Sequence, residues 1–130
     1  MTELELYKIA AEATALAYAP YSGFAVGAAL LTKSGKLYTG ANIENSSYGA
    51  TVCAERTALW KAVLDGEREF SALAVAARNA NGQAVSAPPC GICRQTLSEF
   101  SDGSLTVLFG TENDLQKTTL AALLPHTFSL

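Results

Sequence analysis

Two apolar runs, Phe24–Thr32 and Lys36–Ala41, are separated only by Lys33-Ser34-Gly35. So short a connection, with a glycine in it, makes an antiparallel hairpin the natural pairing. The rest of the chain has to be built around that hairpin. Upstream, Thr2 with Glu5 three residues later has the form of a capping box. Leu6, Ile9, Ala10, Ala13, Leu16 and Ala17 then follow at helical spacing, and Pro20 stops the helix. Downstream, the pattern is helical from Cys53 to Leu64 and ends at Asp65-Gly66. Phe70–Ala77 is an unbroken apolar run of strand length, suited to burial on both faces. Asn79-Ala80-Asn81-Gly82 is turn material, and Pro88-Pro89 precedes a short helix over about Gly91–Phe100. Leu105–Gly110 and Leu115–Thr119 read as strands, and Leu120–Leu124 as a last helical turn closed by Pro125. The expected fold is α/β in three layers, helix, mixed sheet and helix, with about five strands.

No repeat or linker-like tract interrupts the 130 residues, which read as one domain over residues 1–130. With 49% apolar and only 16% charged residues, the chain can bury a core without staples. A net charge of −3 argues against a phosphate-backbone binder, so no polynucleotide partner is expected. The start, Met1-Thr2-Glu3-Leu4-Glu5, lacks the basic residues and apolar run of a secretory signal. The longest apolar stretch, Phe24 to Leu31, is broken by Gly27 and falls short of a membrane span. A cytoplasmic protein with no membrane partner is the expectation.

The three cysteines, Cys53, Cys90 and Cys93, are too few and too odd for a disulfide framework. Cys90 and Cys93 stand three apart at a helix start, where both can face one centre, and Cys53 opens another helix. Three thiolates leave a fourth position for water, the arrangement of a catalytic rather than a structural zinc. Both helix starts carry a partial positive charge that favours thiolate over thiol. Zinc with three thiolates is nevertheless net negative, and Arg56 is the nearest cation able to offset it by donating to sulfur. Glu55, two residues after Cys53, can face the bound water rather than the metal and move its proton.

At these residues the chain resembles the cytidine deaminases, in particular the small homotetrameric type. Cys53-Ala54-Glu55-Arg56-Thr57-Ala58 and Pro89-Cys90-Gly91-Ile92-Cys93-Arg94-Gln95 look like the two metal segments of that family. Ala19-Pro20-Tyr21-Ser22-Gly23-Phe24, Val26-Gly27-Ala28-Ala29-Leu30 and Gly40-Ala41-Asn42-Ile43-Glu44-Asn45 look like its substrate-side segments. Leu123-Leu124-Pro125 with Phe128 resembles its closing segment. The resemblance implies one Zn2+ per subunit on Cys53, Cys90 and Cys93, with Glu55 as proton shuttle. It implies Phe24 against the pyrimidine ring, Asn42 and Glu44 on ribose hydroxyls, and the Ala54 backbone on the base. It also implies a homotetramer in which Phe128 reaches a neighbouring subunit's site. The reaction implied is hydrolytic deamination of cytidine and 2′-deoxycytidine in pyrimidine salvage, with water activated on zinc attacking C4.

Taken singly, these residues are less telling. Phe24 is an ordinary strand residue, Asn42-Ile43-Glu44-Asn45 an ordinary polar loop, Arg56 a solvated helix charge and Phe128 a tucked terminal ring. Tyr48 and Gln95 read as structural, Trp60 as a packing or subunit contact, and His126 as a surface residue. Three other functions compete: a deaminase of nucleoside antibiotics of the blasticidin type, a polynucleotide editor, and a zinc-stabilised binding module without chemistry. Tyr21-Ser22-Gly23-Phe24 and Asn42-Ile43-Glu44 favour an ordinary ribose over the first. The acidic charge opposes the second, and the open coordination position opposes the third.

Overall fold

The computed structural model describes residues 1–130. Helix α1, Glu3–Ala13, opens with the capping box expected of Thr2: its hydroxyl accepts from Glu5 N (3.1 Å), and the Glu5 carboxylate accepts from Thr2 N (2.8 Å). Strands β1, Ala25–Thr32, and β2, Leu37–Ala41, form the antiparallel hairpin. Then come α2 (Ala54–Leu64), β3 (Phe70–Arg78), β4 (Ala84–Val85), α3 (Gly91–Ser98), β5 (Thr106–Thr111), β6 (Asp114–Thr119) and α4 (Leu120–Leu123). The sheet runs β2-β1-β3-β5-β6. Only β3 and β5 are parallel, with α3 in the connection between them, so the sheet is mixed as expected.

The sheet has six strands where the sequence reading has about five. The addition is β4, two residues long, which pairs with Ala77 and Arg78 of β3. A tight turn delivers it: Asn79 Oδ1 accepts from the amides of Asn81 and Gln83 (both 3.0 Å), and Gly82 takes a left-handed φ of 77°. Two residues carry no alternation that a sequence pattern could reveal.

Strand alternation sorts the core into two halves. Ala28, Leu30, Leu73, Val75 and Val107 point to the face covered by α2, α3 and α4, where they meet Ala58, Leu59, Leu97 and Leu120. Ala29, Ala74, Ala76 and Leu108 point the other way, onto Leu6, Tyr7 and Ala10 of α1. Two glycines let helix backbone touch strand. A Cβ on Gly27 would stand 2.1 Å from the Ala10 carbonyl of α1, and one on Gly40 only 2.4 Å from the Ala54 carbonyl of α2. Gly40 thus ties the start of α2 to the end of β2, and the functional residues lie on either side of that contact. No helix is long and apolar enough to cross a membrane.

Candidate metal centre and adjoining cavity

Cys53 and Cys90 are the residues immediately before α2 and α3, each in extended backbone. Their carbonyls accept helical hydrogen bonds, from Thr57 N (3.2 Å) and Arg94 N (3.0 Å), while neither sulfur is spent as a cap. One turn of α3 brings Cys93 back to the same side. Cys53 Sγ lies 3.7 Å from Cys90 Sγ, which lies 3.5 Å from Cys93 Sγ, and all three sulfurs fall within 4.8 Å of one another. Tetrahedral sulfurs each about 2.3 Å from zinc are about 3.8 Å apart, so this donor set fits the ion in both chemistry and spacing.

The surroundings favour anionic sulfur at Cys53. The Cys53 thiol is lowered to about 5, first by the hydrogen bond it takes from Cys93 and then, against burial, by Arg56 and Cys90. Cys93, the donor of that bond, is raised. Arg56 Nη2 stands 3.4 Å from Cys53 Sγ, and its Nε is buried without a hydrogen-bond partner. A buried, unpaired guanidinium donor beside sulfur is at home only where negative charge is concentrated.

Glu55 is 4% exposed in the first turn of α2. Burial raises its carboxyl above the ordinary range and the neighbouring Cys53 adds to this, while its own backbone N–H pulls the other way. A carboxyl so placed holds a proton more readily than an exposed one, which suits a group that must both take and release protons.

One cavity of about 250 Å³ gathers Phe24, Asn42, Glu44, Cys53, Glu55 and Cys90, with Val26, Val75 and Pro88 among its apolar walls. Asn42 spends its amide on the strand beside it: Nδ2 donates to Phe24 O and Oδ1 accepts from Val26 N, both at 2.8 Å. Those bonds explain why β1 begins at Ala25, since the Phe24 carbonyl is held by a side chain. Glu44 Oε1 accepts from Tyr21 N (2.9 Å) and Ser22 N (3.1 Å), and its Oε2 accepts from the Ser22 hydroxyl. Ala54 is fully buried at the start of α2, with its carbonyl on Thr57 Oγ1 (2.9 Å), and does not line the cavity.

Phe128 lies apart. Its ring is exposed and borders a different cavity, of about 390 Å³, between the C-terminal segment and the residues after α3. Gln95 Nε2 holds that segment through the Phe128 carbonyl (3.1 Å). Trp60 and Tyr48 are exposed, and His126 is exposed with a positive φ of 53°. Two residues to which the sequence reading gave no role stand out. Ser22 binds Glu44, and Thr57 Oγ1 accepts from Ala41 N (3.1 Å) and shares its one proton between the Ala41 (3.0 Å) and Ala54 carbonyls, pinning the end of β2 to α2. Ser22 lies inside a recognisable segment, beside Phe24, yet its partner is 22 residues away.

A family model described as cytidine and deoxycytidylate deaminase zinc-binding region matches residues 1–109. The cytidine deaminase of Sporosarcina psychrophila is 54% identical over 114 residues, 87% of this chain and 81% of that protein. That of Halalkalibacterium halodurans is 48% identical over 125 residues, 95% of this chain and 92% of that protein. Among solved structures, the cytidine deaminase of Burkholderia pseudomallei superimposes with a TM-score of 0.90 at 44% identity, covering 98% of this chain and 100% of that one.

Proposed function

This chain belongs to the cytidine and deoxycytidylate deaminase family, and from that premise we propose that it hydrolyses cytidine and 2′-deoxycytidine to the uridine products and ammonia. The observation that carries the proposal is the three-sulfur cluster meeting a buried Glu55 at the wall of one cavity. Cys53, Cys90 and Cys93 would hold one zinc ion per subunit. When bound, zinc supplies a Lewis acid with a coordination position left open.

Glu55 moves the protons. Its carboxylate takes one from the water that attacks C4 and passes it to ring N3. It then takes the second from the new hydroxyl at C4 and passes it to the amino group, which leaves as ammonia. One residue serves both transfers because each returns it to the carboxylate, and its raised proton affinity suits a donor that must also be a base. Arg56 offsets the charge of the thiolates through Cys53. Phe24 offers an aromatic face to the pyrimidine, and Asn42 and Glu44 hold the ribose hydroxyls; the Ala54 backbone, fully buried behind the cavity wall, is not given the contact with the base that the resemblance implies.

The 130 residues act as one domain within a homotetramer, and Phe128 completes a neighbour's site. The exposure of its ring away from this chain's own cavity supports that assignment, as do the exposed side chains of Tyr18, Ile43 and Trp60. The test is a panel of cytidine, 2′-deoxycytidine, blasticidin S and single-stranded RNA on protein of measured zinc content, read as ammonia released. Turnover confined to the free nucleosides is expected; zinc without ammonia would leave only a metal-stabilised module. For the shared site, mixing Glu55→Ala with Phe128→Ala chains restores part of the activity, whereas a fully active monomer would refute it.

A further inference from the structure

Ser22 has a single hydroxyl proton and directs it to Glu44 Oε2, while its oxygen accepts the Phe24 amide at 2.9 Å. The intervening Gly23 makes that geometry possible. Its φ of 69° turns the chain back so that residues 22 and 24 can meet, and a Cβ there would come within 2.9 Å of Ala80 Cβ. From Phe24 the connection continues through its carbonyl to Asn42 Nδ2. Glu44, Ser22, Phe24 and Asn42 are thus joined by consecutive hydrogen bonds, and all four line the cavity beside the metal centre.

A solvent-facing glutamate ordinarily samples many rotamers. Here both carboxylate oxygens are fixed, Oε1 by two backbone amides and Oε2 by Ser22. The two amides hold one oxygen but leave the other free to swing about that end, and the Ser22 hydroxyl removes this freedom. We propose that Ser22 is a positioning residue that sets sugar recognition by orienting the Glu44 carboxylate toward a nucleoside hydroxyl. The proposal rests on Glu44 as a ribose ligand. Ser22 itself supplies no chemistry to the amidine.

The experiment compares the wild type, Ser22→Ala, Ser22→Thr, Glu44→Ala and the Ser22→Ala/Glu44→Ala double variant on cytidine and 2′,3′-dideoxycytidine, with kcat and KM measured separately. Ser22→Ala is expected to raise KM for cytidine about fivefold to thirtyfold, the scale of one charge-assisted hydrogen bond. It should leave kcat and the dideoxynucleoside KM within about twofold. Ser22→Thr keeps a hydroxyl and should restore the wild-type preference, and the double variant should lose no more than Glu44→Ala. Two outcomes fail differently. If Glu44→Ala impairs cytidine selectively while Ser22→Ala does not, Ser22 is no positioning residue although the ribose reading stands. If Glu44→Ala weakens both nucleosides alike, the ribose reading itself falls and takes this role with it. A fall in kcat, or an equal loss on both substrates in Ser22→Ala, would mark a merely structural serine.

Discussion

The two ends of the cavity are built by different means. At the metal end, Cys53, Glu55, Cys90 and Cys93 sit at the first turns of two helices, and regular backbone geometry sets their spacing. At the other end, where we propose that the sugar binds, Ser22, Phe24, Asn42 and Glu44 lie outside the helices and strands and are held by side chains bonding to neighbouring backbone. Helix starts suit chemistry because several dipoles and a rigid spacing come with them. Cross-linked loops suit recognition because each side chain can be adjusted without moving the core. Changes at the first end should therefore act on turnover and metal, and changes at the second on KM.

The largest departure should come from Glu55→Gln. Loss of the proton carrier lowers kcat about a thousandfold or more with zinc content unchanged, measured by cytidine turnover alongside metal analysis. Loss of zinc together with activity would instead place Glu55 among the ligands and erase the division within the metal end. Next is removal of the ion by a strong chelator. Zinc at a hundred times its dissociation constant adds about 2.7 kcal/mol, so the thermal midpoint falls by roughly 10 °C and activity returns on adding zinc. A midpoint indifferent to chelation would mean the sulfurs do not share an ion. Gly40→Ala strikes the contact between the two ends: its Cβ meets three atoms of α2 within 2.5 Å. A cost of about 1–3 kcal/mol in urea unfolding is expected, with kcat and KM both impaired. The smallest effect is that of Thr2→Ala, which removes a cap remote from the cavity. It should cost about 1 kcal/mol of stability and leave both kinetic constants alone.

What a linear pattern can reveal is also divided between the ends. The capping box at Thr2 and Glu5, the hairpin about Gly35 and the helix starts at Cys53 and Cys90 are all local, and local periodicity reports them. The cysteine spacing makes the metal end legible from the chain alone. Ser22 to Glu44, Thr57 to Ala41 and Arg94 Nη1 to the Leu123 carbonyl (2.9 Å) join residues 16 to 29 positions apart. Nothing in the spacing of polar residues says which distant partner each will meet. Helix α3 makes the same point at its end. It stops at Ser98 rather than reaching Phe100, whose ring instead packs edge-on against Phe70 at 6.4 Å. An apolar residue at the right interval was thus claimed by a tertiary contact, which overrode propensity.

The parallel pairing of β3 with β5 gives the metal centre a history as well as a shape. Cys53 leaves the ribosome 37 residues ahead of Cys90, an interval of about 2–7 s at ordinary elongation rates. Through that time the first thiol waits on a helix whose partner has not been made. The three-sulfur set is therefore complete only once α3 has been made and packed beside α2, so the centre belongs to the tertiary fold and to no single stretch of chain.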